Sequence, residues 1–590
     1  FSAEDVSVSN VQGGQADKFI TLKSVDVNVA FFPLLRGEVQ VKKFILIEPV
    51  VAIEVDADGK GNWEFGAEDA NQSPGNSTTE LSFEQFQIEN GQVSYQDFAS
   101  GTKELVRMIN ASVTMDSLQG PFEVSGNARY KNLPVSTELM VGTIREDRKI
   151  PINVSAALMD DDINIKFTGG LLPDETSPQA DGKITLDAGD IGDLFLASAL
   201  LDIENTEPVG PRYNHPLSLE SSFAYGGDAI NISALEFEMG DSRGTGNLTA
   251  TFGELNRFDG NLSVNSFDLD SFLPNMDENE QAANASGNAG EEIDYSILDQ
   301  IEGNFIFKLG ALQYNEKIAS QLDLNLTASQ GLLDITNGRI NMPGGSELSL
   351  EGAIGAPDNN PEFNGDITLN SGNLRAFLEW LKIDVSEIPA GRLTRLAYKG
   401  SIKADPQLIQ LYGIDGSLDT FQYKGGLSYA LQDRPAMGMD IAVQNLNIDN
   451  YIQPSEEAGD LKQSLRMFGD FDANYKIDLT NITAQGITIK KIALNGELYG
   501  GSLNAKTINI EDYAGFDLNG SLIASGFLFE PEFETSFNTT AASLVPLQRA
   551  FRFQAPFDIS EVGAVAVNAR ITGNFEKVNV DIKSTVGSSK

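Results

Sequence analysis

The residues whose types and spacing could do chemistry in this chain are mostly carboxylates. Asp56-Ala-Asp58-Gly-Lys-Gly-Asn62-Trp63-Glu64 has the outline of a calcium loop. It lacks a third ligand ahead of the glycine and a glutamate at the required distance, so EF-hand chemistry fails. The spacing predicts instead a loop between strands that tucks Trp63 into the sheet. Asp160-Asp161-Asp162 is a second acidic cluster and predicts a solvated hairpin tip. Paired carboxylates could serve glycoside hydrolysis, yet Asp and Glu alternate along the whole chain and no pair stands out. The single histidine, His215, precedes Pro216 and reads as a solvated turn residue. One histidine cannot assemble a multi-histidine zinc site or a two-metal site. With no cysteine, thiolate nucleophiles, thiolate metal sites and disulfides are excluded. No nucleophile elbow, Walker loop or dinucleotide fingerprint stands in a fitting strand–helix context. The chain reads as non-enzymatic, with no catalytic residue, no metal and no cofactor.

Charge narrows the partners. The net charge is −44 and the pI about 4.2. Phosphate backbones demand Lys and Arg patches, so nucleic acid is excluded as a partner, and broad adsorption to anionic lipid is disfavoured. Such a charge keeps a long sheet soluble and apart from its own copies. At 590 residues the chain exceeds a single core, which requires several domains or one elongated repetitive body. No stretch reaches the ~18–20 apolar residues of a membrane-spanning helix. Phe1 is not an initiator Met and Phe1-Ser-Ala-Glu-Asp-Val is already strand-like, which predicts an anchor or signal ahead of it.

The elements that must position any site are strands. Val25-Asp-Val27-Asn-Val29-Ala-Phe31, Leu322-Asp-Leu324-Asn-Leu326-Thr-Ala328 and Val565-Ala-Val567-Asn-Ala569-Arg-Ile571 alternate apolar with polar. A period of two gives each strand one apolar and one polar face. Asn-x-Ser/Thr sequons at Asn231, Asn247, Asn261 and Asn481 follow from polar faces built of Asn, Ser and Thr, and carry little weight for glycosylation. Gly425-Gly426, Tyr499-Gly-Gly501, Met342-Pro-Gly-Gly345 and Leu518-Asn-Gly520 read as hairpin turns. Residues 66–80, 277–292 and 453–460 read as loops. Short helices are expected over 294–301, 374–383 and 460–468.

A repeat lies beneath the alternation. An apolar-x-x-aromatic/Leu segment recurs at Ile191-Gly-Asp-Leu194, Leu269-Asp-Ser-Phe272, Leu374-Arg-Ala-Phe377, Ile448-Asp-Asn-Tyr451 and Leu544-Val-Pro-Leu547, each after a clear strand. The expected fold is all-β: a long antiparallel meander curled into an elongated groove, with a few short helices between modules. The modules are 1–120, 121–205, 206–290, 291–390, 391–468 and 469–590, with strands of about 6–9 residues.

Residues 25–65 resemble the N-terminal domain of the AsmA family (AsmA/TamB-like). The residues that carry the likeness are Pro33-Leu-Leu-Arg-Gly37-Glu-Val-Gln-Val41, Lys43-Phe-Ile-Leu-Ile-Glu-Pro49, and Glu54-Val-Asp56-Ala-Asp58-Gly-Lys-Gly-Asn62-Trp63. The Leu-Asp-x-Phe-Leu segments extend the likeness loosely along the chain. The resemblance implies a Gram-negative envelope protein, anchored in the inner membrane by an N-terminal helix missing from this chain, with its body in the periplasm. It also implies kinship with bridge-like lipid transfer proteins, whose β-groove carries lipid. The implied role is phospholipid transport between inner and outer membranes, or outer-membrane assembly, with acyl lipid and outer-membrane proteins as partners and no catalytic residues.

On that reading the groove is lined by Leu262, Val264, Leu322, Leu324, Leu326, Ile441, Val443, Ile477 and Leu479. The alternative is a structural or interaction protein, a spacer or adhesin of stacked β-sandwich modules with no lipid cargo. Alternation fits both readings, because sheets packed on each other alternate in the same way.

Overall fold

The computed structural model describes the chain apart from residues 12–13, 35–40, 58, 64–82, 116, 118, 132, 146–147, 174–177, 201–213, 274–293, 433, 453–469, 527–530, 552–553, 555, 557, 575 and 588–590. The expected loops at 66–80, 277–292 and 453–460 and the expected helix over 460–468 lie outside the described residues. The chain forms two compact units, Phe1–Pro274 and Asn275–Lys590. Strands and helices are numbered in chain order, α1 being the single turn Phe31–Leu34.

The alternation gives the expected result: the structure is dominated by β-strand. In the N-terminal unit, strands β1 (Ser2–Ser9) to β15 (Asn256–Asp268) pair with their chain neighbours in one sheet. In the C-terminal unit, β16 (Ile301–Tyr314) to β31 (Val578–Val586) do the same. Among the described residues no second sheet packs on either one.

Two departures from a pure meander have local causes. β3 (Val41–Ile47) and β4 (Val50–Val55) act as one bent strand between β2 (Lys18–Val29) and β5 (Phe83–Asp97), and both run parallel to β5. Pro49 breaks that strand in the middle, where Glu48 takes φ +50°. The ladder continues across the break, since Glu48 N–H donates to the Glu89 carbonyl and Gln92 N–H to the Pro49 carbonyl. The second departure is β24 (Ala436–Gln444), which pairs in parallel with β25 (Asp472–Ala484).

The strands are longer than the sequence suggests: β5 has 15 residues, β16 has 14, and β17 (Lys317–Ser329) and β25 have 13. Their length is broken by bulges rather than turns. The register shifts around Asn90, Met108, Ala234 and Gln321, each at φ near +50°. Bulges bend a strand and raise its twist, and open sheets of more than ~10 strands curl or split.

Two expected turns also lie inside strands. Gly425-Gly426 is within β23 (Phe421–Ala430) and Leu518-Asn-Gly520 within β28 (Phe516–Ser525). Gly425 is required by close approach, because a Cβ there would meet the Asp440 carbonyl oxygen at 1.9 Å. Tyr499-Gly-Gly501 and Met342-Pro-Gly-Gly345 are turns, with positive φ at their glycines.

All five repeated segments become helical turns, and within each unit they leave the sheet at one rim. In the N-terminal unit α2 (Ile191–Leu200) follows β11 (Gln179–Ala188), and the turn at 269–272 follows β15. Four strands separate them, an even number, so both sit at the same rim. In the C-terminal unit α3 (Leu374–Trp380) follows β20 (Glu362–Ser371), a 3-10 turn at Ile448–Asn450 follows β24, and α4 (Val545–Phe551) follows β29 (Glu532–Ala541). The last interval is five strands, but the parallel β24–β25 pair restores the parity. The expected helix over 294–301 is a 3-10 turn at Tyr295–Gln300, capped by Asp294. We call the sheet edge bearing these segments the helical rim and the opposite edge the hairpin rim.

Candidate functional site

The register shows what the alternation builds. From β16 to β31 one line of paired residues runs Phe305, Leu326, Ile335, Gly352, Gly365, Ile402, Leu411 and Leu427. It continues through Met439, Tyr475, Gly496, Ala505, Leu522, Thr535, Ile571 and Val580. Every strand of the unit contributes, and only Thr535 is polar. The next line towards the hairpin rim passes through Ile354, Phe363, Ile409, Tyr429, Met437, Leu498 and Phe533 to Val578, also uncharged throughout. A line on the other side holds Leu324, Leu350 and Ile367, then Ile441, Ile477, Leu494 and Ile508 beyond a bulge.

The N-terminal unit repeats the pattern. Val25, Leu46, Ile88, Ala111, Gly126, Thr137, Ala156, Ile165, Leu186, Leu219, Phe237, Gly244 and Val264 form one line with a single polar member. Charged side chains alternate onto the other face: Glu138, Asp187, Glu220, Glu236 and Glu238 are all exposed.

Half-burial is the telling property of these lines. A side chain in a sheet is flanked by its strand neighbours, so only something above it can bury it fully. Nearly all the line residues are half-buried, whereas full burial concentrates at the helical rim. There Leu374, Phe377 and Trp380 of α3 pack on Ala319, Val385 and Leu393, and Ala197 of α2 packs on Leu133, Ile163 and Ala188. A smaller cluster, Leu498 with Ala524 beneath Phe471, lies at the hairpin rim. The floor is also low, because aromatic rings lie flat over glycines. The Phe363 ring covers Gly352 and Gly365, and the Phe167 ring covers Gly169 and Gly182, so that a Cβ at any of them would come within about 3 Å of the ring.

The nine residues expected to line a groove all lie on these apolar faces. Leu262 and Val264 are in β15, Leu322, Leu324 and Leu326 in β17, Ile441 and Val443 in β24, and Ile477 and Leu479 in β25. Val264 is buried and the rest are half-buried. Ile441 pairs with Ile477 and Val443 with Leu479, whereas the first two belong to the other unit. Alternation alone did not point to Gly352, Gly365, Met439 or Tyr475; the register does, by placing them between apolar neighbours.

The chemical motifs resolve into structure. Trp63 is 48% exposed and not tucked into the sheet; Asn62 beside it is the buried residue. Asn62 Oδ1 accepts from Glu54 N–H at 3.0 Å, and its Nδ2 donates to the Ala52 carbonyl at 2.8 Å and to Asn10 Oδ1 at 3.0 Å. The buried Glu54 carboxylate accepts from Asn10 Nδ2 and from the Gln15 and Ala16 amides at 2.8–2.9 Å. This network ties the β1–β2 loop to the end of β4.

Asp160–Asp162 form the hairpin tip between β9 (Ile150–Leu158) and β10 (Ile163–Leu172), with positive φ at Asp160 and Asp161. His215 is half-buried, with its ring 5.4 Å from that of Phe272 and its carbonyl accepting from Ile191 N–H, so it packs at the helical rim rather than standing in solvent. The four sequon asparagines are exposed. Among the described residues no group of three His, Asp or Glu could hold a metal ion. No helix among them is long and apolar enough to cross a membrane. The polar face of the N-terminal unit carries a concavity of about 850 Å³ lined by Asn110, Ser125, Asn127, Ser136 and Glu138. Its amides bond one another, Asn110 Nδ2 to Asn127 Oδ1 at 3.1 Å, and offer no reactive group.

Burial acts on the tyrosines of the apolar face. The Tyr423 hydroxyl is pushed up to about 12, by burial first and by nearby Tyr398 second. The Tyr398 hydroxyl is buried without a hydrogen-bond partner.

The Asn62 network lies within a stretch that matches a family model. Residues 1–185 match the AsmA family model. The match covers the N-terminal third of the chain and includes Pro33–Trp63, the residues that carry the resemblance. AsmA family proteins are envelope proteins, and the family is not an enzyme family. No curated protein matches the chain. Among solved structures, Pseudomonas aeruginosa OpdQ aligns at 10% identity over 84% of this chain and 94% of its own, with a TM-score of 0.10. P. aeruginosa OccK2 (OpdF) in complex with glucuronate aligns at 6% identity over 82% and 91%, also at 0.10. At that score neither likeness carries an argument.

Proposed function

We propose that this AsmA-like chain is a non-enzymatic lipid carrier of the cell envelope, and that acyl chains occupy the uncharged face of its sheets. The observation that carries this reading is the pair of apolar lines across all sixteen strands of the C-terminal unit, with no second sheet above them among the described residues. Lines two residues apart are about 6.6 Å apart along the strand, so three lines and their margins span roughly 20 Å. That width shelters an acyl chain, given that half of a bilayer's hydrocarbon core is about 15 Å. Contact with lipid tails would replace the missing layer, because apolar surface removed from water gains roughly 25 cal/mol per Å². The match to a family of envelope proteins supports this reading, because a carrier between two membranes would give phospholipid a path.

The test is site-specific photo-crosslinking with native mass spectrometry of detergent-free protein. A crosslinker at Leu324 or Leu427 should capture phospholipid, and one at Asn325 or Ser428, on the opposite face, should not. A lipid-free protein, or equal capture from both faces, overturns the reading.

A further inference from the structure

We infer that β31 is a docking edge for a second copy of this chain, and that two copies pair their β31 strands antiparallel about a two-fold axis at Ile582.

An edge strand presents a row of unpaired backbone groups, and sheets blunt such edges with bulges, charge or proline. β1, an edge of the N-terminal unit, is blunted in this way. Asp5 interrupts its ladder at φ +52°, the register shifts between Val8 and Ser9, and its two charged residues, Glu4 and Asp5, are both acidic. β31 carries none of these devices. Its nine residues pair with β30 (Val565–Asn574) without a register shift, and none is proline. Among the described residues nothing pairs on its other side. All nine are exposed, including Val578, Val580, Ile582 and Val586 of the apolar face at 46–57%.

The chain's large negative charge does not defend this edge, because Lys577 and Lys583 balance Glu576 and Asp581 along the turn and the strand. What the edge carries instead is a pattern complementary to itself. Gly587 N–H donates to the Ala564 carbonyl, and Asn574 N–H to the Lys577 carbonyl. The odd-numbered residues of β31 therefore bond to β30, and the even-numbered ones turn their N–H and C=O groups outward. With Ile582 opposite its own copy, Val580 faces Ser584 and Val578 faces Val586, which closes about ten backbone hydrogen bonds.

The same register sets Asp581 opposite Lys583 twice, once on each side of the axis. Among the described residues neither is held in an ion pair within the chain, and the neighbouring Arg570 is committed to Glu534 at 2.6 Å. Other registers fail on charge. An axis at Asp581 or Lys583 opposes like charges directly, one at Val580 sets Lys583 against Lys577, and one at Ser584 leaves Asp581 and Lys583 opposite Gly587 and Thr585. A two-fold axis normal to the sheet keeps the faces, so the apolar face continues from one copy into the other. The pairing is also closed, since each copy uses the one edge it offers.

The test is sedimentation velocity of the full chain in detergent-free buffer over a concentration series, where a monomer–dimer equilibrium is expected. Asp581→Lys and Lys583→Asp each set like charges opposite and should each weaken self-association by about tenfold. Mixed in equal amounts, the two variants should associate with each other, because one copy then supplies both cations and the other both anions. Ile582→Pro removes an outward-facing N–H and should abolish association while circular dichroism stays that of the parent. Glu4→Lys with Asp5→Lys, on β1, should leave association unchanged. A chain that remains monomeric throughout the series, a dimer that survives Ile582→Pro, or a mixture no better associated than either charge variant alone overturns the proposal.

Discussion

At the scale of single residues, the functional-looking motif of this chain turns out to be a fastening. The Asp56–Glu64 stretch draws the eye for its carboxylates and its tryptophan, yet the side chain that matters is the amide of Asn62. Its three hydrogen bonds and the three received by Glu54 hold the β1–β2 loop in place. Cutting Asn62 to Ala strands several buried polar groups at once, each costing about 1–3 kcal/mol. Asn62→Ala should therefore destabilise the N-terminal unit by about 3 kcal/mol and speed hydrogen exchange at the Gln15 and Ala16 amides. Trp63→Ala, at a side chain half in solvent, should cost less than about 1 kcal/mol. Equal effects from the two variants, or the reverse order, would show that the ring anchors the loop and the amide does not.

At the scale of elements, the helical segments act as end-plugs of the apolar face. α3 is pinned from several directions: the Asn373 side chain accepts from Ala376 N–H, Trp380 Nε1 donates to the Tyr314 carbonyl at 2.6 Å, and Arg375 donates to the carbonyls of Val385, Ile388 and Pro389. Trp380→Ala should cost about 3–5 kcal/mol, as for other buried aromatics, with faster exchange confined to α3 and the ends of β16, β17 and β20. Uniform loosening of the whole unit would contradict the plug. The next plug is fastened through Asp419, which accepts from the Tyr451 hydroxyl at 2.7 Å and from the Leu393 and Thr394 amides. Burial pulls this carboxyl upward, but the donors from Thr394, Tyr451 and Leu393 outweigh it and hold the pKa below the ordinary value. A carboxylate with a lowered folded pKa stabilises fully above its unfolded pKa, near 4, and that stability is lost as pH falls through the folded value. Asp419→Asn should thus weaken the fold at pH 7 and flatten its acid limb below about pH 4; an unchanged acid limb in denaturant titrations would remove Asp419 from that role. These plugs were legible as a repeat because Leu374-Arg-Ala-Phe377 and its counterparts place two apolar residues one helical turn apart. Their shared rim was not legible, since it depends on strand parity and on the parallel β24–β25 pair, which no local motif announces. Gly425 and Gly520 misled for a related reason: glycine marks turns and close approach alike, and only the neighbouring strand distinguishes them.

At the scale of the whole molecule, the apolar lines belong to no single strand, so no single strand's alternation could establish them. They arise because each hairpin keeps the parity of the one before it, and bulges at Ala234 and Gln321 absorb the extra residues that would otherwise turn a strand over. A line assembled from many weak contributors tolerates loss of any one methyl group but not a charge, and that asymmetry defines the decisive variant. Ile477 lies mid-line, between Ile441 and Leu494, and is half-buried. Ile477→Lys can turn its amine into the open space above the sheet, so the fold should survive, with circular dichroism and denaturant midpoint near those of the parent. An acyl chain crossing that point would meet a cation in hydrocarbon, which costs about 2.5–3.5 kcal/mol. By the conversion of 1.4 kcal/mol per tenfold, that is roughly a hundredfold loss of lipid affinity at the site. Asp478→Lys, on the opposite face of the same strand, makes a larger change in charge and should leave lipid binding within about twofold. If Asp478→Lys proves as damaging as Ile477→Lys, lipid follows the surface potential and not the apolar lines; if neither matters, the lines are not its path.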